Sequence, residues 1–458
     1  MNRSLQMGES SIPKLLLKFS LPAIVGLLVN ALYNIVDSIF VGRGVGALGL
    51  DGVTVNFPVI TTFFAFIMLI GMGATALISI RLGQGKEDDA EKIIGNAFVL
   101  FVIIGISLSV ICLIFIKPIG IFFGASKELL PYAVDYLRII LIGSTLMAIG
   151  TGMNNFIRAE GNPKMAMYTM LIGTITNIVL DYVFIFIFHW GIKGAAIATA
   201  ISYGVTSTWV LYYFLSGKSL LKIRRKNLKL KVTVIRGLII IGFPTFILQV
   251  ANSVQYLIMN RSLAHYGGDM ALAAIGIIMS ITTFLVMPAM GISQGAQPII
   301  GYNYGARKLD RVKNTLKLDI VAATAIVAIG WIFSMLWPTQ LIRLFNKSPQ
   351  LIELGTHGVR IFFFLIPLVG MQMVSTSYFQ AVGKPTQATI LGLSRQIFIF
   401  IPLLIILPYF WGLEGVWWSA PYSDLGAFIL TGIWLAFEIR QLNKDHASYN
   451  QPNEPLKS

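Results

Sequence analysis

The chain has 458 residues, of which 56% are hydrophobic and only 12% charged, and its mean hydropathy is +0.76. Soluble domains carry roughly 25% charged residues, so this composition excludes an ordinary soluble protein, and the lack of alternation over segments of about ten residues excludes an outer-membrane barrel. The net charge of +15 would point to nucleic acid only if the cations formed one patch, but they lie mostly in loops between apolar runs.

Residues 1–20 carry Arg3, Lys14 and Lys18. The apolar run that follows shows no small-residue cleavage site and leads straight into Asn30 and Asp37, so no removable signal peptide is expected. Charge-free runs such as 98–116 and 322–337 suit helices, because crossing a hydrocarbon core takes roughly 20 apolar residues. Charges and turn residues predict twelve spans, near 15–41, 53–80, 95–116, 132–157, 166–188, 194–215, 237–260, 273–301, 319–338, 357–381, 389–410 and 415–437. Lys and Arg number 24 in the loops on the side of both termini and 7 in the others. The positive-inside rule therefore predicts cytoplasmic termini and a multi-pass protein of the cytoplasmic (inner) membrane. The densest basic run, 218–236, reads as a topology signal that contacts anionic lipid. Cys112 is the single cysteine; it excludes an intramolecular disulfide and a cysteine-based metal cluster.

A shift of 222 residues superposes the two halves of the sequence. Pro22 falls on Pro244, Asn30 on Asn252, Gly73 on Gly295, Gly83 on Gly305, Arg138 on Arg360 and Ala159 on Ala381, and the Gly161, Pro163 turn falls on Gly383, Pro385. The predicted fold class is therefore an all-α integral membrane protein with two six-helix bundles, related by an internal repeat about an axis along the membrane normal. The expected divisions are a first bundle at 1–217, a basic cytoplasmic linker at 218–236, a second bundle at 237–440 and a cytoplasmic tail at 441–458. Two such bundles enclose a central cavity and suit alternating access.

Charged side chains inside a bilayer cost about 2.5–3.5 kcal/mol each on insertion scales, so those within spans are functional candidates. They are Asp37, Asp181, Arg395 and Asp424; Asp135, Arg138, Asp319, Arg360 and Glu438 lie near span ends, within reach of water. Asn30, Asn34 and Asp37 share one helical face, as do Asn177 and Asp181. Asp37 and Asp181 fall at matched depth in the outer half of the membrane, with Thr199, Ser202 and Tyr203 at similar height. Two carboxylates among amide and hydroxyl oxygens can hold Na⁺ or share a proton, and interhelical hydrogen bonding is the bland alternative. The second half lacks them, since Met259 and Leu403 occupy the equivalent positions. Arg395 and Asp424, on consecutive spans, form either a structural ion pair or a substrate contact. Pro22 predicts a bend in the first span. Phe57, Met72, Tyr256, Met259, Phe284 and Met287 are candidates for a soft cavity wall that accepts flat cations.

These landmarks resemble the multidrug and toxic compound extrusion (MATE) family across nearly the whole chain. Phe19 to Pro22 and Tyr33, Asn34 and Asp37 look like its opening motif. The segment from Gly291 through Gln294, Gln297, Pro298 and Asn303 to Tyr304 reads like its eighth helix and following loop. The resemblance implies an antiporter that exports small organic, often cationic, compounds in exchange for H⁺ or Na⁺. It selects Asp37, Asn177, Asp181 and Thr199 as the cation-coupling set, with Na⁺ as the candidate metal and no other cofactor. Pro22, Asn30, Tyr33, Asn34, Ser202, Tyr203, Tyr256, Met259, Met287, Arg395 and Asp424 are the substrate or gating candidates. A monomer with membrane lipid and small organic molecules as partners, and no nucleic acid, is expected. A lipid-linked oligosaccharide or lipid flippase of the same broad architecture is the rival. It should show several deep cations for phosphates, and only Arg395 lies deep in the sequence. Enzyme chemistry is not expected, because His189, His265, His357 and His446 are scattered at loops and ends.

Overall fold

The structure, a computed structural model, describes residues 3–450. Residues 1–2 and 451–458, the extremes of the expected first bundle and tail, lie outside it. The first half comprises α1 (Arg3–Glu9), α2 (Ile12–Gly44), α3 (Ala47–Gly83), α4 (Glu87–Ile114), α5 (Ile116–Phe122), α6 (Leu130–Ala159), α7 (Pro163–Tyr182) and α8 (Gly191–Leu215). Then come α9 (Val232–Gly305), α10 (Leu309–Leu336), α11 (Pro338–Phe345), α12 (Pro349–Phe362), α13 (Pro367–Ala381), α14 (Pro385–Leu393), α15 (Ile401–Trp411) and α16 (Leu413–Asn450).

Ten of these helices, taken with their π-helical extensions, are long and apolar enough to cross a membrane. Of these, α9 is two crossings: its 74 residues break at Gly268, whose φ of 63° is left-handed. Gly46, at the equivalent place between α2 and α3, has a φ of 91°; only glycine turns the chain this way without strain. The pair α12 and α13, bent by 55°, makes one further crossing. Counted so, the expected twelve spans are present. Helix ends obey the repeat as well: Gly83 and Gly305, Ala159 and Ala381, and Pro163 and Pro385 are matched termini. Proline opens α7 and α14 because a first-turn residue needs no amide donor.

Two large apolar cores form, one mostly from α3, α4 and α6 and the other from α9, α10, α12, α13 and α16. The halves meet closely toward the end that bears the termini. Ser20 donates to the Ile292 carbonyl at 3.3 Å, and Phe66 and Phe246 pack with centroids 5.1 Å apart. A Cβ on Gly83 would run into the Tyr302 carbonyl, and one on Gly305 into the Ile80 carbonyl. These two contacts are repeat images of each other, so the seal is pseudo-symmetric. Below it, α1 is tied across: Asn303 donates to Met7 O at 2.9 Å and Arg311 to Ser10 O at 2.6 Å.

The loop after α8 is bound to the first half rather than slack. Glu91 pairs with Arg224 at 2.8 Å, and Asn96 accepts from the Lys231 amide at 2.7 Å. Glu160 takes the hydroxyls of Tyr213 and Ser219 and the amides of Leu220 and Leu221.

Candidate functional site

Helix α2 brings Asn30, Tyr33 and Asp37 up one side of the first half. It continues through Pro22, which is buried inside it. Asp37 is 17 residues beyond Ser20, about 25 Å along a helix, so the acid stands well past the seal. Helix α7 contributes Asn177 and Asp181, and α8 contributes Thr199, Ser202 and Tyr203. Asn177 is 1% exposed, Asp181 0% and Thr199 2%. Directly after α7 a π-helical turn, Val183–Ile187, widens the helix, a distortion that recurs at functional positions.

The carboxyl groups of Asp37 and Asp181 lie within hydrogen-bond reach of each other. In the amide orientation that pairs donors with acceptors, Asn177 Nδ2 donates to Asp181 Oδ2 at 2.7 Å. Its Oδ1 then accepts from the Thr199 hydroxyl at 3.2 Å. The four residues of the expected coupling set are thus contiguous. Each aspartate retains one buried oxygen, Oδ1, without a protein partner. No group of three or more His, Cys, Asp or Glu suited to a metal occurs among the described residues.

Beside this pair lies a cavity of about 220 Å³, lined by Asn30, Tyr33, Asn177, Ser202 and Tyr203 on one side and by Met68, Met72, Arg158 and Gln294 toward the seal. Asn177 belongs to both the acid cluster and the cavity wall. Asn34 lies one turn on, donating to the Asn30 carbonyl at 2.9 Å, but does not line it. A larger cleft of about 840 Å³ between α6 and α8 is almost wholly apolar, with Ile142, Leu146 and Ile201 among its walls. Its polar groups, on Thr208, Trp209 and Tyr212, form only a small part of that wall.

In the second half, Arg395 Nε donates to Asp424 Oδ1 at 2.6 Å. Arg395 lies in a π-helical stretch, Ser394–Phe400, and its carbonyl is taken by the Ser423 hydroxyl at 2.6 Å. Tyr256 is 48% exposed and Met287 half-buried. Met259, read as a cavity candidate, is 1% exposed and packed in the second core, so it presents no surface to a ligand. Two acids expected to reach water do not: Asp319 is 1% exposed, and Glu438 is held by Lys384 at 2.7 Å and Tyr378 at 3.0 Å.

Sequence reasoning missed Tyr136 of α6, which reaches Thr199 and packs near both acids. It missed Arg158 too, which reads as one more basic loop residue. No spacing marks either; only the fold of α6 over α8 does so.

The MatE family pattern matches residues 22–183 and again 244–406, two copies whose starts differ by the offset of the repeat. The chain belongs to the MATE family. It is similar to the multidrug export protein MepA of Staphylococcus haemolyticus (strain JCSC1435), 30% identical over 441 residues that cover 96% of this chain and 97% of that protein. The MepA protein of Staphylococcus aureus (strain MSSA476) is 28% identical, with 90% of each chain covered. Among solved structures, a MOP superfamily transporter from Pyrococcus furiosus superposes with a TM-score of 0.91 at 26% identity, covering 96% of this chain and 98% of that one. An outward-facing multidrug resistance MATE transporter gives 0.91 at 25% identity, covering 96% and 98%. This MATE protein is therefore a membrane-embedded transporter, not an enzyme.

Proposed function

We propose that this MATE transporter exports small organic compounds, in the manner named for its MepA relatives, by exchanging them for H⁺ or Na⁺ through alternating access. The observation that carries the reading is the Asp37 and Asp181 pair, each with one buried, unpartnered oxygen, joined by Asn177 to a cavity beside the seal. A cation held between the two oxygens neutralises charge that the surrounding protein cannot. Its arrival or departure changes what Asn177 presents to the cavity, and that couples ion to substrate. The seal between α2, α3 and the two arms of α9 is the element that must open for the opposite state. The 24 to 7 distribution of Lys and Arg favours a cytoplasmic position for the sealed face and both termini. The protein would then act as a single chain in the inner membrane, its basic loop against anionic lipid.

The test is reconstitution in liposomes with ethidium, imposing a pH gradient and a Na⁺ gradient separately. Movement driven by one gradient and abolished in Asp37→Asn and Asp181→Asn supports the antiport and names its ion. Failure of both gradients to move any compound, while a labelled lipid crosses, would transfer the reading to a flippase.

A further inference from the structure

Arg158 closes the last turn of α6 at the floor of the cavity, with Asn154, Asn155 and Gln294 around it. Its Nη1 donates to Gln294 Oε1 at 2.5 Å and its Nη2 to Asn155 Oδ1. Both acceptors are neutral amides. Among the described residues the guanidinium makes no ion pair. Two other cations drawn into the protein have carboxylate partners, Arg395 with Asp424 and Lys384 with Glu438, whereas half-buried Arg311, like Arg158, has neutral acceptors only. A cation drawn out of bulk water without a counter-charge is costly, and Arg158 lines a cavity. Beside it, Asn154 Oδ1 is buried with no partner. The second half has no copy of this arrangement, because Gln380 stands at the equivalent position and is consumed by Ile241 O and Thr245.

We infer that Arg158 is an anchor for a carboxylate or similar anionic group on the transported molecule. The substrates would then include amphiphiles that carry an acid, not organic cations alone. The inference rests on the export reading above and specifies its substrate class. An arriving carboxylate replaces a neutral amide with a charged acceptor, a stronger bond for a guanidinium. The partner it displaces, Gln294, belongs to the other half of the molecule, so binding also removes one hydrogen bond of the seal.

Dansylglycine and dansylglycinamide differ only in carboxylate against amide, and each is titrated into the purified full-length protein in nanodiscs by dansyl fluorescence. Arg158→Gln is expected to weaken the acid roughly 10- to 100-fold, the range for a hydrogen bond to a charged group, and to alter the amide little. Arg158→Lys keeps most of the acid's affinity. Gln294→Glu places a carboxylate beside the guanidinium in a side chain of the same size. It is expected to exclude the acid as effectively while sparing the amide, and it serves even if Arg158→Gln fails to fold. Equal losses for both ligands, or acid binding indifferent to both substitutions, overturn the anion site. Arg158-dependent acid binding in a protein that moves nothing under either gradient would sink the export reading and leave the anion site standing. Gradient-driven ethidium transport with acid binding indifferent to Arg158 would do the reverse.

Discussion

Replacing Gly295 with Ala tests whether the glycine contacts between the halves are the closed gate. The new Cβ would lie 2.7 Å from the Ser20 amide nitrogen and 2.8 Å from its Cα, where ordinary contact is 3.4–4 Å. Both are backbone atoms, so no rotamer change relieves the clash, and α2 must part from the second arm of α9 by about 0.7 Å; overpacking of this kind costs about 1–3 kcal/mol. Alanine also favours a helix over glycine by about 1 kcal/mol. That gain is common to every state in which the arm stays helical, and it cancels between conformations. The net effect is a shift of roughly 5- to 150-fold away from the sealed state. The readout is a Ser79→Cys reporter in a Cys112→Ser background, because Ser79 is 0% exposed and abuts Gly301 across the seal. In vesicles that present the terminus-bearing face outward, Gly295→Ala should speed labelling by a membrane-impermeant maleimide. Gly276→Ala is the control, since nothing lies within 4 Å of its added Cβ. Unchanged labelling in folded Gly295→Ala, or an equal rise in the Gly276→Ala control, would refute the gate.

Further expectations concern the buried charges and the loop after α8. Asp37→Asn and Asp181→Asn should each abolish ion-driven transport, and the double variant should be no worse than either, because the two acids act as one unit; flux assays on all three check this. Arg395→Gln leaves Asp424 buried and unpaired and should cost about 3–5 kcal/mol. Thermal unfolding in detergent should show most of that loss recovered when Asp424→Asn is added. Glu160→Gln removes the charge, and one of the two acceptor oxygens, from a group that accepts four hydrogen bonds. A loss of about 1–3 kcal/mol should appear as faster proteolysis between Ser219 and Lys231, with helices otherwise unchanged.

Much of this MATE protein was readable from residue order alone, because the bilayer constrains a chain strongly. Apolar runs that must satisfy every backbone group internally become helices, and the twelve spans follow from run length. The repeat was readable because turns need particular residues: Gly161 and Pro163 recur as Gly383 and Pro385, and the helix ends recur with them. Asp37 and Asp181 stood out since an acid in hydrocarbon is expensive whatever its neighbours. Residue order could not say that these acids touch, that Met259 faces a core, or that Asp319 and Glu438 turn inward from the water within their reach. Those outcomes depend on how helices distant in sequence rotate and cross. Arg158 shows the difference most plainly. In the sequence it is one basic residue beside a turn; the packing of α6 against α8 and α9 encloses it among neutral amides, and the lack of a counter-charge gives it meaning.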